Sequence, residues 1–529
     1  MILVSLSRQI KCALISTSDK TGLVEFAQEL TKRGVEILAT SGTVAWLSKQ
    51  GVPVLSISDY IGFSEKMDGR VKTLHPKIYV GLLWRPGIDD VLLEQYQAKP
   101  IDLLVINLYP FQQTAKNTKA SLPEVIEQID VGGPSLLRAG AKNFTTVTTV
   151  IDPSDYSLIL REMDAHQGAT SLTTRHHLAQ KTFSKLTDYD AAIANYLAQQ
   201  TSRESPPLFP ADFQIHFHKK TTLRYGENPH QQAALYTTLP AESGTLAHAE
   251  LLQGTSLSFN NLVDANTAMN CVCRLPAPLP GCVIVKHATP CGAAQADSQL
   301  SAYEKAYSTD PTSAFGGIIA FNTPLEGDTV KKIIANKHFV ELMVAPIVTP
   351  EALQLLSTKP QVRVLALGSS SSMGPSWTWH SISGGLLLQQ ADNAPASPQQ
   401  WRTVTQRQPT PKEQNDLWFA WEVAKFVKSN AIVYAKNQAT LGIGAGQTSR
   451  VFAAKIAILK AQEAGLSLTG AVMASDAFFP FADSIEVAAE AGITAIIQPG
   501  GSKRDAEVIE AANHAHMSMV LTGTRHFRH

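Results

Sequence analysis

Residues 12–57 read CALIST (12–17), SDKTG (18–22), LVEFAQELTKRG (23–34), VEILAT (35–40), SGT (41–43), VAWLSKQG (44–51) and VPVLSI (52–57). Short aliphatic runs alternate with amphipathic stretches, and only a few polar residues separate them. This order predicts strand, helix, strand, helix, strand, the pattern of a parallel sheet wrapped by helices. Further along, DLLVINLYPF (102–111) is a continuous apolar run ending in Tyr-Pro, as expected of a buried strand whose C-terminal end opens into a loop. Ligands of open α/β sheets gather at such ends. TTVTTVIDP (145–153) closes the block with a last strand, and a helical stretch from Ser171 to Gln200 follows. Adjacent prolines in TSRESPPLFPADF (201–213) mark a linker, so a first domain of residues 1–200, with its core at about 11–152, precedes a region of residues 201–529.

The second region carries short apolar runs beside Gly or Pro: GCVIVKH (281–287), GGIIAFN (316–322), GGLLLQQ (384–390) and TAIIQPGG (494–501). Read as buried strands between helices such as QNDLWFAWEVAKFV (414–427) and RVFAAKIAILKAQEAG (450–465), they predict two more α/β layers. SSSSMGPSW (369–377) reads as a surface loop, and no internal repeat or coiled-coil heptad stands out.

The 529 residues balance 45 Lys+Arg against 45 Asp+Glu, which leaves no global field to attract a polyanion and argues against a nucleic-acid protein. A small anionic ligand stays compatible. With 44% hydrophobic and 17% charged residues the chain has apolar mass for several cores. No run of 18 apolar residues occurs, and Ser and Arg interrupt MILVSLSRQIK at the N-terminus, so a cytoplasmic location is expected. Five cysteines without CxxC pairs speak against a disulfide scaffold or structural zinc.

Three elements could bind a phosphate. Thr40-Ser41-Gly42-Thr43 joins a strand to a helix, where backbone N–H groups and the helix dipole favour an anion. Ser18-Asp19-Lys20 occupies the preceding strand's turn, and Gly69-Arg70-Val71-Lys72-Thr73-Leu74-His75-Pro76 packs two cations and a hydroxyl together. Each alone also reads as ordinary capping or a solvated loop. Lys286-His287 ends a buried run, where a base beside a cation suits stabilisation of an oxyanion; a satisfied core histidine is the plainer reading. His248-Ala249-Glu250 and Pro290-Cys291 imitate a zinc deaminase signature, but Ala294 stands where its second cysteine is needed. Gly442-Ile443-Gly444-Ala445-Gly446 has Gln447 in place of the last glycine of a dinucleotide fingerprint.

The strings STSDKTGL (16–23), GRVKTLHP (69–76), NLYPF (107–111), QIDVGGPSLLRAGAKN (128–143), LRYGENPHQ (223–231), DPTSAFGGIIAFN (310–322), SDAFFPFADS (475–484) and TGTRHFRH (522–529) closely resemble, in this order, the bifunctional purine-biosynthesis family that combines AICAR transformylase with IMP cyclohydrolase. The resemblance runs from about residue 11 to the C-terminus. It implies an α/β protein: an N-terminal methylglyoxal-synthase-like parallel-sheet domain, then a transformylase of two cytidine-deaminase-like α/β subdomains. It further implies 10-formyltetrahydrofolate as co-substrate, no catalytic metal, and a homodimer with shared transformylase sites. Its activities are formyl transfer to AICAR and dehydrative closure of formyl-AICAR to IMP. A nucleotide sensor and a metal-dependent purine deaminase are the alternatives; the retained proton-transfer residues oppose the first.

Carried over by motif, the resemblance gives Ser18, Lys20, Thr40, Ser41, Gly42, Thr43, Arg70 and Thr73 to the cyclohydrolase nucleotide, and Lys72, Asn107, Tyr109, Asp130 and Lys142 to its catalysis. In the transformylase it gives Lys286, His287 and Asn430 to catalysis, with His287 as base toward the AICAR amine. Arg224, Tyr225, Asn261, Gly316, Glu341, Arg525 and Phe527 match the AICAR set. Arg450, Val451, Phe478, Pro480, Asp483, Ser502 and Lys503 match the folate set. Among Phe478, Phe479 and Phe481, at least one is expected in the core. The family usually has asparagine at the position of Thr289, which implies an altered rate rather than lost activity.

Overall fold

The computed structural model describes the chain apart from residues 1–7, 64–70, 72, 118, 201–207, 210, 212, 214, 239–242, 277, 369–376 and 394–397. The expected linker at 201–207 and nearly all of the loop at 369–377 lie outside the described residues. Two compact units form, Met1–His216 and Phe217–His529.

The first unit is a five-stranded parallel sheet of β1 (Cys12–Ser16), β2 (Glu36–Ala39), β3 (Leu55–Ser56), β4 (Leu103–Ile106) and β5 (Thr148–Val150), in the order β3-β2-β1-β4-β5. Helices cover both faces, so strand neighbours bury to opposite sides. Ile15 and Val105 pack with Phe26, Leu30 and Ile159, while Leu14 and Leu104 pack with Ile78 and Leu136. This double covering is why the strands read as unbroken apolar runs. The chain winds outward from β1 through β2 to β3, then returns to place β4 on the other side of β1. The C-terminal ends of β1 and β4 therefore flank a topological switch point, where such sheets open a crevice. One boundary differs from the sequence reading: the helix Ser41–Lys49 begins at Ser41, so Ser41-Gly42-Thr43 form its first turn rather than a preceding loop.

The second unit begins with the hairpin β6 (His218–Thr222) and β7 (Ala234–Thr237), followed by β8 (Glu250–Gln253), β9 (Gly281–Lys286), β10 (Thr289–Gln295), β11 (Gly317–Phe321), β12 (Val340–Ala345) and β13 (Arg363–Ala366). A second hairpin, β14 (Trp377–Ile382) and β15 (Gly385–Gln390), precedes β16 (Arg402–Thr403), β17 (Ile432–Lys436), β18 (Ala439–Gly444), β19 (Val472–Ser475), β20 (Ala495–Gln498) and β21 (Ser518–Leu521). Apart from the two hairpins, these strands make one sheet, β16-β21-β20-β19-β17-β18-β10-β9-β11-β12-β13-β8. The expected α/β layers are thus halves of a single twelve-stranded sheet, joined where β10 runs antiparallel to β18. The reading of GGLLLQQ as a buried strand is corrected: among the described residues β15 pairs only with β14, no other sheet or helix covers it, and Leu386 and Leu387 are more than half exposed.

The two halves are copies, a repeat the sequence reading missed. Each contains an antiparallel hairpin followed by three parallel strands and an edge strand, in mirrored order about the β10–β18 seam. Helices Phe259–Val272 and Pro411–Ala424 both start with a capping box, at Ser258 and Thr410. Six residues past each cap stands an aspartate. Asp264 accepts a hydrogen bond from Ala288 N (2.6 Å), and Asp416 accepts from Asn437 N (2.9 Å) and Gln438 N (2.7 Å), each holding the turn of its hairpin. Gly292 and Gly442 occupy matching places on β10 and β18, where a Cβ would collide with the helix carbonyls of Ala306 and Ala457. The repeat escaped notice because identity survives only at these caps, turns and close approaches, scattered among interchangeable aliphatic residues.

Glu413 links one helix start to the sheet. It completes the Thr410 capping box and accepts from Arg407 Nη2 (2.7 Å) and Thr494 Oγ1 (2.7 Å). Burial opposes its ionisation, but the Arg407 guanidinium and the Thr494 and Thr410 donors prevail and lower its pKa from 4.5 to about 2. A carboxylate depressed on folding stabilises fully above its unfolded pKa and loses that contribution as pH falls through the folded value. Glu413→Gln is therefore expected to cost about 1.5 kcal/mol at neutral pH. Thermal unfolding of the two proteins should converge as pH falls from 4.5 toward 2.

Candidate active sites

In the first unit a cleft of about 610 Å³ opens at the switch point. Ser18, Lys20, Thr40, Gly42, Thr43, Thr73, Asn107, Tyr109 and Asp130 all line it. Three segments converge there because β1, β2 and β4 deliver their C-terminal loops side by side. Asn107, just after β4, binds the loop after β1: its Oδ1 accepts from Ser18 N (2.5 Å), Ser18 Oγ (2.9 Å) and Asp19 N (2.9 Å), while its Nδ2 donates to Asp19 O (3.1 Å). Its amide thus shapes the cradle. Lys20 Nζ donates to Thr17 O (2.5 Å) and Thr43 Oγ1 (3.0 Å), and partial burial lowers its pKa. Beside it the helix Ser41–Lys49 aims its N-terminal turn at the cleft, a favourable end for an anion. Gly42 leaves that turn open: among the described residues, nothing outside its own helix backbone lies within 4 Å of where its Cβ would stand.

Across the cleft the helix Gly132–Lys142 begins with two glycines that sterics require. A Cβ on Gly132 would strike the Thr73 hydroxyl, and one on Gly133 the Asp130 carboxylate. Asp130 Oδ1 instead accepts from Gly133 N (2.8 Å), and Asp130 N donates to the Tyr189 hydroxyl (2.8 Å). Tyr109 is half-exposed on the rim. Lys142 sits at the opposite end of that helix, exposed and not among the cleft-lining residues; eleven residues of helix span about 15 Å. Arg70 and Lys72 lie outside the described residues.

In the second unit, strand directions collect many of the residues that the resemblance gives to a transformylase. β9, β18, β19, β20 and β21 finish at the same edge at which β10, β11, β12, β13 and β17 start. Lys286 and His287 end β9 there, Thr289 begins β10 opposite Lys286, Gly316 precedes β11, and Glu341 lies at the start of β12. Asn430 precedes β17, and Phe478 to Asp483, Ser502 with Lys503, and Arg525 with Phe527 lie on the loops after β19, β20 and β21. His287 and Ala288 both adopt positive φ (53° and 57°), the demand of a two-residue hairpin turn that glycine or asparagine usually meets. Lys286 Nζ donates to Phe315 O (2.6 Å), and exposed His287 stands at the tip.

Glu341 shares a pocket of about 260 Å³ with Arg224 and with Arg363, a buried side chain the sequence reading missed. Arg363 Nη1 pairs with Glu341 Oε2 (2.8 Å), and Arg363 Nη2 donates to Thr255 Oγ1 (3.0 Å). A lone arginine in the apolar run QVRVLALG was its only sequence signal. Arg224 stacks on Tyr225, and Arg525 on Phe527. Asn261 is buried, and its amide oxygen is committed to the Ser258 capping box. Arg450 is also buried, bonded to Asp476 and Asn430, whereas Val451 is half-buried and Lys503 exposed. Phe479 is the core residue of the phenylalanine trio; Phe478 and exposed Pro480 and Phe481 flank half-buried Asp483.

A cleft at the switch point of one unit and a Lys-His turn on a duplicated sheet in the other are the two candidate sites. The family model described as AICARFT/IMPCHase bienzyme matches residues 140–460, and that described as MGS-like domain matches residues 22–135. The chain belongs to the AICARFT/IMPCHase bienzyme family. It carries out the last two steps of IMP synthesis, formyl transfer to AICAR from a formyl-tetrahydrofolate and closure of formyl-AICAR to IMP. A solved structure titled "Crystal structure of ForH" is 33% identical, covering 35% of this chain and 98% of its own, with a TM-score of 0.32.

Thr43 is 1% exposed and its hydroxyl anchors Lys20. Thr43→Val should leave that cation held by Thr17 alone and raise KM for formyl-AICAR about tenfold, the scale of one hydrogen bond to a charged group. Turnover should stay within about twofold, as expected for binding felt alike by ground and transition states. Steady-state IMP formation reads both constants.

Proposed function

We propose that residues 1–200 house ring closure and residues 201–529 formyl transfer, with 10-formyltetrahydrofolate as the donor. In the first site, Lys20, Thr40, Ser41, Gly42, Thr43 and Thr73 hold the nucleotide phosphate, with Ser18 fixed by Asn107. Tyr109 and Asp130 face the reacting end, where the carboxamide nitrogen attacks the formyl carbon and water leaves. An amide nitrogen is a poor nucleophile, so orientation and proton shuttling are the protein's contribution. Lys142, at the C-terminal end of the helix that starts at the cleft, is the proposed proton donor or acceptor, and Lys72 the proposed cation for the formyl oxygen.

In the second site His287 takes a proton from the AICAR amine, Lys286 stabilises charge on the formyl oxygen, and Asn430 holds the transferring group. Arg224, Glu341, Gly316, Arg525 and Phe527 bind AICAR. Phe478, Pro480 and Val451 offer the pterin an apolar face and Asp483 a carboxylate for its amidine edge. The chemistry needs no catalytic metal. Cys291, the cysteine of the incomplete zinc signature, is buried, and that burial pushes its thiol up to about 12. A homodimer and a cytoplasmic location complete the reading. The apolar exposed side chains of β14 and β15, including Trp379 and Leu387, favour association, and no helix among the described residues is long and apolar enough to cross a membrane.

The observation that carries this reading is the sheet edge shared by the Lys286-His287 turn, Asn430 and the folate loops. His287→Ala should lose formyl transfer by at least about 100-fold, the scale for removing a positioned base, while closing supplied formyl-AICAR at nearly the normal rate. Lys286→Ala should behave alike through lost electrostatic stabilisation. Release of tetrahydrofolate and formation of IMP are followed separately, and normal tetrahydrofolate release by either variant would remove the pair from the mechanism.

A further inference from the structure

We propose that Asp476 is a positioning residue for formyl transfer, acting through Arg450 to fix the side-chain amide of Asn430. The proposal rests on the role given to Asn430 above. Asp476 follows β19 and is fully buried. Its Oδ1 accepts from Ala431 N (3.2 Å) and pairs with Arg450 Nη1, and its Oδ2 accepts from Ser429 Oγ. Arg450 Nη2 then donates to Asn430 Oδ1 (2.7 Å), while Asn430 Nδ2 donates to Gln447 O (2.7 Å). With an obligate donor on its oxygen and an acceptor on its nitrogen, the amide can face only one way.

The duplication supplies an internal control. Ile432 pairs with Ser475 in one half as Cys282 pairs with Phe321 in the other, so Ala431 corresponds to Gly281 and Asp476 to Asn322. Asn322 Oδ1 accepts from Gly281 N (2.7 Å), the same clamp made by a neutral amide. Arg450 opens the helix after its hairpin, and the matching helix opens with buried Gln299, again neutral. The fold therefore asks only for neutral side chains at these two places: Asn322 bonds Gly281 N and Leu279 O, and Gln299 bonds Thr323 and Pro324. A buried ion pair is weak evidence of stabilisation, because desolvation offsets much of the attraction. Charge appears only in the half that carries Asn430, where it orients that amide. His526 N also donates to Asp476 O (2.9 Å), tying the C-terminal segment to the same residue.

The test is a double-mutant cycle in the full-length enzyme, reading tetrahydrofolate release, with closure of supplied formyl-AICAR as the control on the same preparation. Asp476→Asn copies Asn322 and should fold. Its kcat for formyl transfer should fall on the order of 100-fold, the scale of a reacting group misplaced by about an ångström, with a much smaller change in KM for AICAR. If Asp476 acts through Asn430, adding D476N to N430A should cost less than about twofold more, because coupled residues are not additive. Independent losses that multiply, or a D476N enzyme with normal kcat, would overturn the proposal. Normal transfer by N430A would instead refute the role of Asn430 itself, and this proposal with it. Should D476N unfold, R450Q/D476N, which puts at both places the neutral residue types that the first half carries there, takes its place in the same cycle with the same outcomes.

Discussion

The antiparallel pairing of β10 with β18 is the constraint on which the second unit depends. At that seam Thr440 Oγ1 exchanges hydrogen bonds with Ala293 N (2.9 Å) and Ala293 O (3.1 Å), and the Thr309 hydroxyl lies 2.8 Å away. Joining two copies in this sense reverses one relative to the other. The edge at which β11, β12 and β13 begin is thereby the edge at which β19, β20 and β21 end. One copy contributes a hairpin turn and strand starts; the other contributes the longer loops after parallel strands. Two identical folds in a parallel arrangement would have offered the same parts twice, whereas the reversed pair offers complementary ones.

The consequence shows at equivalent positions. The turn His287-Ala288 and the turn Asn437-Gln438 share positive φ and an aspartate anchor, yet they lie on opposite edges of the sheet. Only the first stands beside the loops after β19 to β21. The first unit reaches its site by a different route, a reversal of winding between β1 and β4 that needs no duplication. Both solutions place short loops at strand ends, where side chains are held by the sheet without being buried in it.

Much of the first unit was legible because its strands are apolar on both faces and its loops are short, which makes boundaries sharp. The cradle at Ser18, Lys20 and Thr40–Thr43 was visible for the same reason: each segment follows a strand directly. Less legible was anything set by partners distant in sequence. The exposure of β15 depends on which strand it pairs with, not on its Leu-rich composition. The capping role of Asn261 and the burial of Arg363 and Arg450 depend on the packing around them. Asp476 stood inside a quoted motif, but its neighbour Phe478 drew the functional reading; only the fold reveals Ala431 and Arg450 beside it. The repeat was hidden because aliphatic residues exchange freely while preserving a strand.

In the proposed function, one edge of the twelve-stranded sheet carries the folate chemistry. Amide hydrogen exchange of the full-length enzyme, with and without saturating AICAR and tetrahydrofolate, tests it directly. Slowed exchange is expected, confined to residues 224–225, 286–289, 315–317, 340–341, 428–431, 450–451, 476–484, 499–504 and 522–528, with no change at the Asn437-Gln438 turn or at residues 322–326 on the far edge. Protection centred on Asn437-Gln438, or spread equally over both edges, would contradict it.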